Sequence, residues 1–348
     1  MKILSINSGS QTLKYQLFEL KGFKLIKKGA VSDIGFGAIK NHREALRKIL
    51  TELDEHKKEI KLIGHRYVNG GKFIEPTVMN KKIVSAIEQY NNLAPLHNPA
   101  NLEGIKASLN LLPEALNVAV FDTCFYKDLP KKAYTYAINK RIQKKYGYRR
   151  YGFHGTSHKY VVNEAARLLG KDLDELKLIS IHLGGGASIT ATKYGRAIDT
   201  SMGYTPAEGL VMMTRCGDID AGILIDLMRQ GYDSEEIDKL VNMESGLYGL
   251  CGKKGMLEIL ESLDEQKIKD AFEVYIYRLR KYLGAYFAAL NGCNAVIFTG
   301  SVGSGAPITR EKVVKDLDIL KDVEILPIET NEELMIAKDA YLTYKNSQ

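Results

Sequence analysis

Short apolar runs and helical repeats take turns along this chain. KILSIN (2–7), KLIGHRYV (61–68), NVAVFD (117–122), LKLISIHL (176–183) and NAVIFTG (294–300) are brief and β-rich, which predicts strands. NHREALRKILTELDEHKKE (41–59), TSHKYVVNEAARLLG (156–170), DIDAGILIDLMRQG (218–231) and AFEVYIYRLRKYLGAYFAALN (271–291) place apolar residues three and four apart, which predicts helices. Ser157 or Thr156 is the expected cap of the second of these helices and Asp218 of the third, with Gly170 and Gly231 as stops. Such alternation predicts an α/β fold.

Two of the strand signals resemble each other. ISIHLGGGASI (179–189) reads as strand, Gly-rich turn, strand, and LSINSGSQTL (4–13) follows the same plan. Ser5-Ile6-Asn7 aligns with Ser180-Ile181-His182 at an offset of 175 (180 less 5), about half of 348 residues. A repeat at half the length points to duplicated domains. The length itself suits two domains, each able to bury a core. The expected division is 1–124 plus 333–348 against 125–332.

Composition adds exclusions. The chain is 45% apolar and 26% charged, as soluble globular proteins are. It has no apolar run of bilayer-spanning length, and MKILSINSGS lacks the apolar centre of a signal peptide, so the expectation is a cytoplasmic protein with no membrane partner. Cys124, Cys216, Cys251 and Cys293 are scattered, against a disulfide framework or a zinc site. The net charge of +7 is carried in part by lysine-rich stretches such as INKRIQKKYGYRR, read as solvated surface. A basic cleft would also draw anionic substrates. No nucleic-acid motif is present, and none is expected as a partner.

No P-loop, nucleophile elbow or H-E-x-x-H helix occurs. The polar residues gather instead in Gly-flanked turns: NSGSQTLK, GHRYVNGG, FDTCF, RRYGFHGTSH, HLGGGAS, DTSMGYTPAEG, TRCGDID and FTGSVGSG. Glycine lets backbone N–H groups approach an anion, and Ser, Thr and Lys add donors.

NSGSQTLKYQLF, APLHNPANLEGI, RRYGFHGTSHKYV, DTSMGYTPAEGL, TRCGDID and TNEELMIAKDA closely resemble motifs of the acetate kinases, members of the sugar kinase, Hsp70 and actin superfamily. The resemblance runs from residue 3 to about 341. It implies two duplicated α/β domains with an active-site cleft, a direct in-line transfer between ATP and acetate giving acetyl phosphate and ADP, Mg²⁺ with Mn²⁺ as the alternative, and a homodimer. Arg66 and Arg215 match the arginines that handle the carboxylate and the phosphoryl group, His154 the histidine that donates to the phosphoryl group, and Asp122 an active-site aspartate. Acetate is already ionised at neutral pH, so Asp122 is read as orienting an arginine or a metal-bound water rather than as a base. Glu332 matches the magnesium-associated glutamate, with Glu333, one residue on, as the alternative, and Asn7 joins it as a metal candidate. Asn7, Ser10, Thr12 and Lys14 match the first phosphate turn. His182, Gly184, Gly185 and Gly186 match the second, although Gly184 also suits a plain hairpin. His158, Gly300 and Gly303 complete the expected phosphate and nucleotide set. Val68, Leu96, Phe153 and Pro206 match the pocket for the acetate methyl, or are simply core.

The departures fall on the nucleotide side. The family's HLGNGAS is HLGGGAS here, its GVSSDMR is replaced within GLYGLCGKKGMLE, and its FTGGIGENS is FTGSVGSGAP. These losses leave open another nucleoside triphosphate or pyrophosphate as donor. Propionate remains a substrate alternative, and a nucleotide or acyl-phosphate sensor is the non-enzyme one.

Overall fold

A computed structural model describes residues 1–95 and 97–347, and the chain divides into two compact units. The first holds residues 1–127, 153–160 and 331–348, and the second holds 128–152 and 161–330. The segment 153–160 therefore belongs with the first unit.

The first unit is built on β1 (Lys2–Ser8), β2 (Leu13–Glu19), β3 (Leu25–Val31), β4 (Ile60–Tyr67), β5 (Thr77–Val78) and β6 (Leu116–Phe121), in the order β3-β2-β1-β4-β6-β5. β1 is buried along its whole length, and its alternating side chains feed two cores. Leu4 and Ile6 pack with Ala45, Leu46 and Ile49 of the helix His42–Glu52, while Ile3 packs with Ile336, Ala337 and Ala340 of the helix Glu332–Asn346.

The second unit carries β7 (Lys177–Leu183), β8 (Ala187–Lys193), β9 (Arg196–Thr200), β10 (Ala295–Thr299) and β11 (Glu324–Pro327), in the order β11-β10-β7-β8-β9. Three antiparallel strands again lead to parallel neighbours on the far side of the first strand. The repeat at offset 175 is thus a repeat of sheet topology, with Asn7 and His182 at matching strand ends. The helix Gln266–Leu290 packs on β7 and β8, and it buries Phe272, Ile276, Leu279 and Leu283, the spacing that predicts it.

The expected helix starts need correction. The helix Gly155–Leu169 begins before Thr156 and Ser157, so both lie inside it. Asp220, not Asp218, caps the helix Ala221–Arg229 by accepting from Gly222 N. Gly170 and Gly231 do follow their helices with positive φ.

Candidate active site

In the first unit, the ends of adjacent parallel strands place Asn7, Arg66 and Asp122 together. Ligands of open α/β sheets bind at such carboxyl ends. Arg66 Nε and Nη2 donate to Asp122 Oδ2 at 3.1 and 2.7 Å, and Nη1 donates to Asn7 Oδ1 at 3.2 Å. Glu332 Oε2 lies 3.6 Å from Nη1. Burial disfavours the Arg66 charge, but Asp122, Glu332 and Glu333 outweigh it and hold the guanidinium well above its ordinary range. Asp122 is fully buried and also accepts from Thr156 Oγ1 at 2.7 Å. Thr156 is a contributor that sequence reasoning treated only as a helix cap.

Asn7 Nδ2 donates to Glu332 Oε2 at 2.8 Å and to Glu333 Oε1 at 3.0 Å, so both glutamates of TNEEL reach the strand end. Asn331 caps their helix, accepting from Leu334 N at 3.0 Å. Among the described residues no group of three or more His, Cys, Asp or Glu side chains forms a metal cage. The chemistry nevertheless fits Mg²⁺, which takes one or two carboxylates and fills its other positions with water and phosphate oxygens.

His154 sits at φ 55°, a left-handed conformation that costs a non-glycine residue energy. The next residue must be glycine, because a Cβ on Gly155 would overlap the Asp122 carbonyl oxygen. Phe153 is buried and its carbonyl accepts from Tyr126 Oη at 2.7 Å. His158 is fully buried in the helix. Ser10, Thr12 and Lys14 are exposed, and among the described residues their side chains make no hydrogen bond. Val68 is buried, its N–H held by Asn101 Oδ1 at 3.1 Å, while Asn98 accepts from Asn69 N at 3.1 Å. The HNPAN motif therefore clamps the Val68 loop. Leu96 lies outside the described residues.

In the second unit, Gly184–Gly186 closes the β7–β8 hairpin, with Gly184 N donating to Gly186 O at 2.9 Å. A Cβ on Gly185 would meet nothing within 4 Å, so the turn does not demand glycine there. Gly300 is different: its φ is 79°, and a Cβ would overlap Leu183 O where β10 ends beside β7. Gly303 follows in the same short helix, and His182 pairs with Thr299 across the strands. Next to this turn, on the side of Ser301, lies a pocket of about 560 Å³. Met256, Leu257, Val302 and Ile308 give it apolar walls, and Ser301 and Glu311 are its polar side chains.

Arg215 is half-buried and donates at 3.4 Å to the carbonyl of Pro206. Among the described residues it has no carboxylate partner, and burial pulls its pKa below the ordinary value. Its loop is held by groups that sequence reasoning missed. Arg150 donates to Thr200 O and Ser201 O at 3.0 and 2.9 Å and pairs with Glu208, which also accepts from Tyr136 Oη. Asp218 accepts from Gly209 N and Tyr282 Oη at 2.9 and 2.7 Å.

The model of the Acetokinase family matches residues 22–326. The chain is 44% identical to an acetate kinase of Thermotoga maritima over 395 aligned positions, covering 97% of this chain and 98% of that one. Among solved structures, acetate kinase from Porphyromonas gingivalis superposes with a TM-score of 0.90 at 36% identity, covering 99% of each chain. A propionate kinase from Francisella tularensis gives 0.89 at 35% identity, covering 97% of this chain and 98% of that one.

Proposed function

The chain belongs to the Acetokinase family, and from that premise we propose how its own residues carry the reaction. The activity is that of an acetate kinase, transfer of a phosphoryl group to a carboxylate oxygen. The observation that carries the assignment of roles is the state of two arginines. Arg66 has three of its five N–H donors committed, two to Asp122 and one to Asn7, which leaves two for a planar oxyanion. Arg215 is a half-buried cation whose natural counter-charge is a substrate. Both neutralise charge that builds on the transferring phosphoryl group, and His154 donates to it. Asp122 takes no proton, since the acetate nucleophile is already ionised and the aspartate is occupied by Arg66 and Thr156. Glu332 and Asn7 would hold Mg²⁺, or Mn²⁺ in its place. That ion supplies neutralisation of phosphate charge.

The donor is a nucleoside triphosphate, with ATP the family's substrate. A pocket of about 560 Å³ with apolar walls suits a base and ribose, and pyrophosphate has nothing to bury there. Only two polar side chains line it, so base selectivity is weak. Initial rates of acetyl phosphate formation with ATP, GTP, ITP and pyrophosphate test this. The three nucleotides should fall within about tenfold of one another, roughly 1.4 kcal/mol, and pyrophosphate far below. Pyrophosphate as the best donor would overturn the reading.

Buried Val68 and Phe153 are the residues we assign to a small acyl pocket. Propionate is the second reading, since the Francisella tularensis neighbour is a propionate kinase. Among the described residues no helix is long and apolar enough to cross a membrane. A homodimer is the assembly we propose, because the helix Ala221–Arg229 buries none of its side chains despite Ile223, Ile225 and Met228. Ile225→Asp should convert a dimer to a monomer in solution mass measurements, and a parent that is already monomeric would refute the pairing.

A further inference from the structure

Residues 131–150, KKAYTYAINKRIQKKYGYRR, hold eight lysines and arginines and no acidic residue. Taking that +8 from the chain's +7 leaves −1 for everything else, so the basicity of this protein is the property of one segment. Two of the eight cations are occupied internally: Arg150 with Glu208, and Arg149 over the Tyr134 ring at 4.1 Å. The other six, Lys131, Lys132, Lys140, Arg141, Lys144 and Lys145, are exposed, and among the described residues none has a carboxylate partner.

Apolar side chains stand among them. The helix Lys140–Tyr146 buries no residue. Ile138 just before it, and Ile142 and Tyr146 one turn apart on it, are 46%, 44% and 52% exposed. Solvation of a charged surface gives no reason for isoleucines there. Steering of small anions would use the lysines and leave the isoleucines without a role. A single-stranded nucleic acid would need open aromatic faces. Here Tyr146 stacks on Tyr148 at 5.5 Å with Lys145 over its ring at 4.8 Å, and Tyr134 lies under Arg149. Aliphatic side chains beside flexible cations match the boundary of an anionic bilayer, where isoleucine enters the headgroup layer and lysine reaches phosphate.

We propose that the segment 131–146 docks this enzyme reversibly on a bilayer surface carrying anionic headgroups. This revises the expectation of no membrane partner. It is independent of the catalytic assignment, since none of these residues belongs to the acyl, phosphate or nucleotide groups.

The test is co-sedimentation of the full chain with phosphatidylcholine vesicles, with and without phosphatidylglycerol. Binding should require the anionic lipid. It should vanish as salt rises from about 0.1 M to about 1 M, which shortens the screening length from about 10 Å to about 3 Å. Converting Lys140, Arg141, Lys144 and Lys145 to Gln should weaken partitioning about fivefold for each cation removed, the equivalent of roughly 1 kcal/mol apiece. Ile142→Ser should weaken it with every charge intact. Both variants should keep the parent's phosphotransferase rate in solution. Equal binding to both lipid mixtures, or undiminished binding by the fourfold variant, would overturn the proposal. So would tighter capture by a single-stranded oligonucleotide than by vesicles, or loss of a dimer in the fourfold variant.

Discussion

Arg66 and Arg215 are both arginines at Gly-flanked turns, and the molecule treats them in opposite ways. Arg66 is fastened to a fully buried carboxylate and flanked by two glutamates. Arg215 rests on a carbonyl, with no carboxylate partner among the described residues. In the first case the protein itself supplies counter-charge and fixes the guanidinium, which under the proposed function keeps two donors for the oxyanion. In the second, the proposed function has the substrate supply the counter-charge. Adjacent residues on β4 repeat the contrast: Arg66 is kept charged, while burial, against the opposing hydrogen bond to Asn117, lowers the His65 pKa to about 4 and keeps it neutral.

Removing each arginine breaks the comparison most sharply. Arg66→Ala strands the Asp122 carboxylate in the interior and should cost about 3 to 5 kcal/mol of stability, besides abolishing most turnover. Arg215→Ala should lose on the order of a hundredfold in kcat or more, yet melt at or above the parent temperature. Equal melting curves for the two variants would show that the Arg66–Asp122 fork does not stabilise the fold.

The His65 contrast is read by pH. Its folded pKa lies below the unfolded value of about 6.5, so its contribution is full above that pH and is lost as pH falls toward 4. The loss approaches about 3 kcal/mol at the acid end. Melting temperatures of the parent and His65→Gln across that range should converge as pH drops, and parallel curves would refute the shift.

Smaller effects separate acyl from donor binding. Val68→Ala should raise propionate use relative to acetate by roughly 1 to 3 kcal/mol in kcat/KM, the value of one methylene in a pocket. An unchanged ratio would place Val68 in the core alone. Gly185→Asn should leave stability within about 0.5 kcal/mol, because nothing occupies the space a side chain would enter. It should move the KM for the nucleotide and leave the KM for acetate alone. A shift in the acetate KM would mean that the turn reports on both substrates.

The buried strands and the long helix were legible because their apolar residues recur at one period. β3 and β11 were not: LIKKGAV and EILP are edge strands, exposed or half-buried at every residue but Val31, with too little burial to impose an alternation. Helix caps failed for a different reason. Thr156 and Asp218 have the right chemistry for a cap, but Asp122 claims the first, and Gly209 and Tyr282 claim the second. Within the site, Arg66, Asp122, Asn7 and Glu332 could be named from motifs. The Asn98 and Asn101 clamp and the Arg150–Glu208 pair could not, since their partners are backbone atoms or lie dozens of residues away.

The helix Glu332–Asn346 belongs to the unit that the chain begins. On a ribosome, the first sheet emerges early and must wait for its lid. Ile3, Phe18, Leu62, Val118 and Val120 form the face that this helix covers. Between residue 127 and the start of that helix at Glu332 lie 204 residues (331 less 127), roughly ten to forty seconds of synthesis. For that interval the nascent chain carries an uncovered apolar face, and it also lacks Glu332. Cover for that face and the glutamate proposed to hold the metal therefore arrive together, with this one helix.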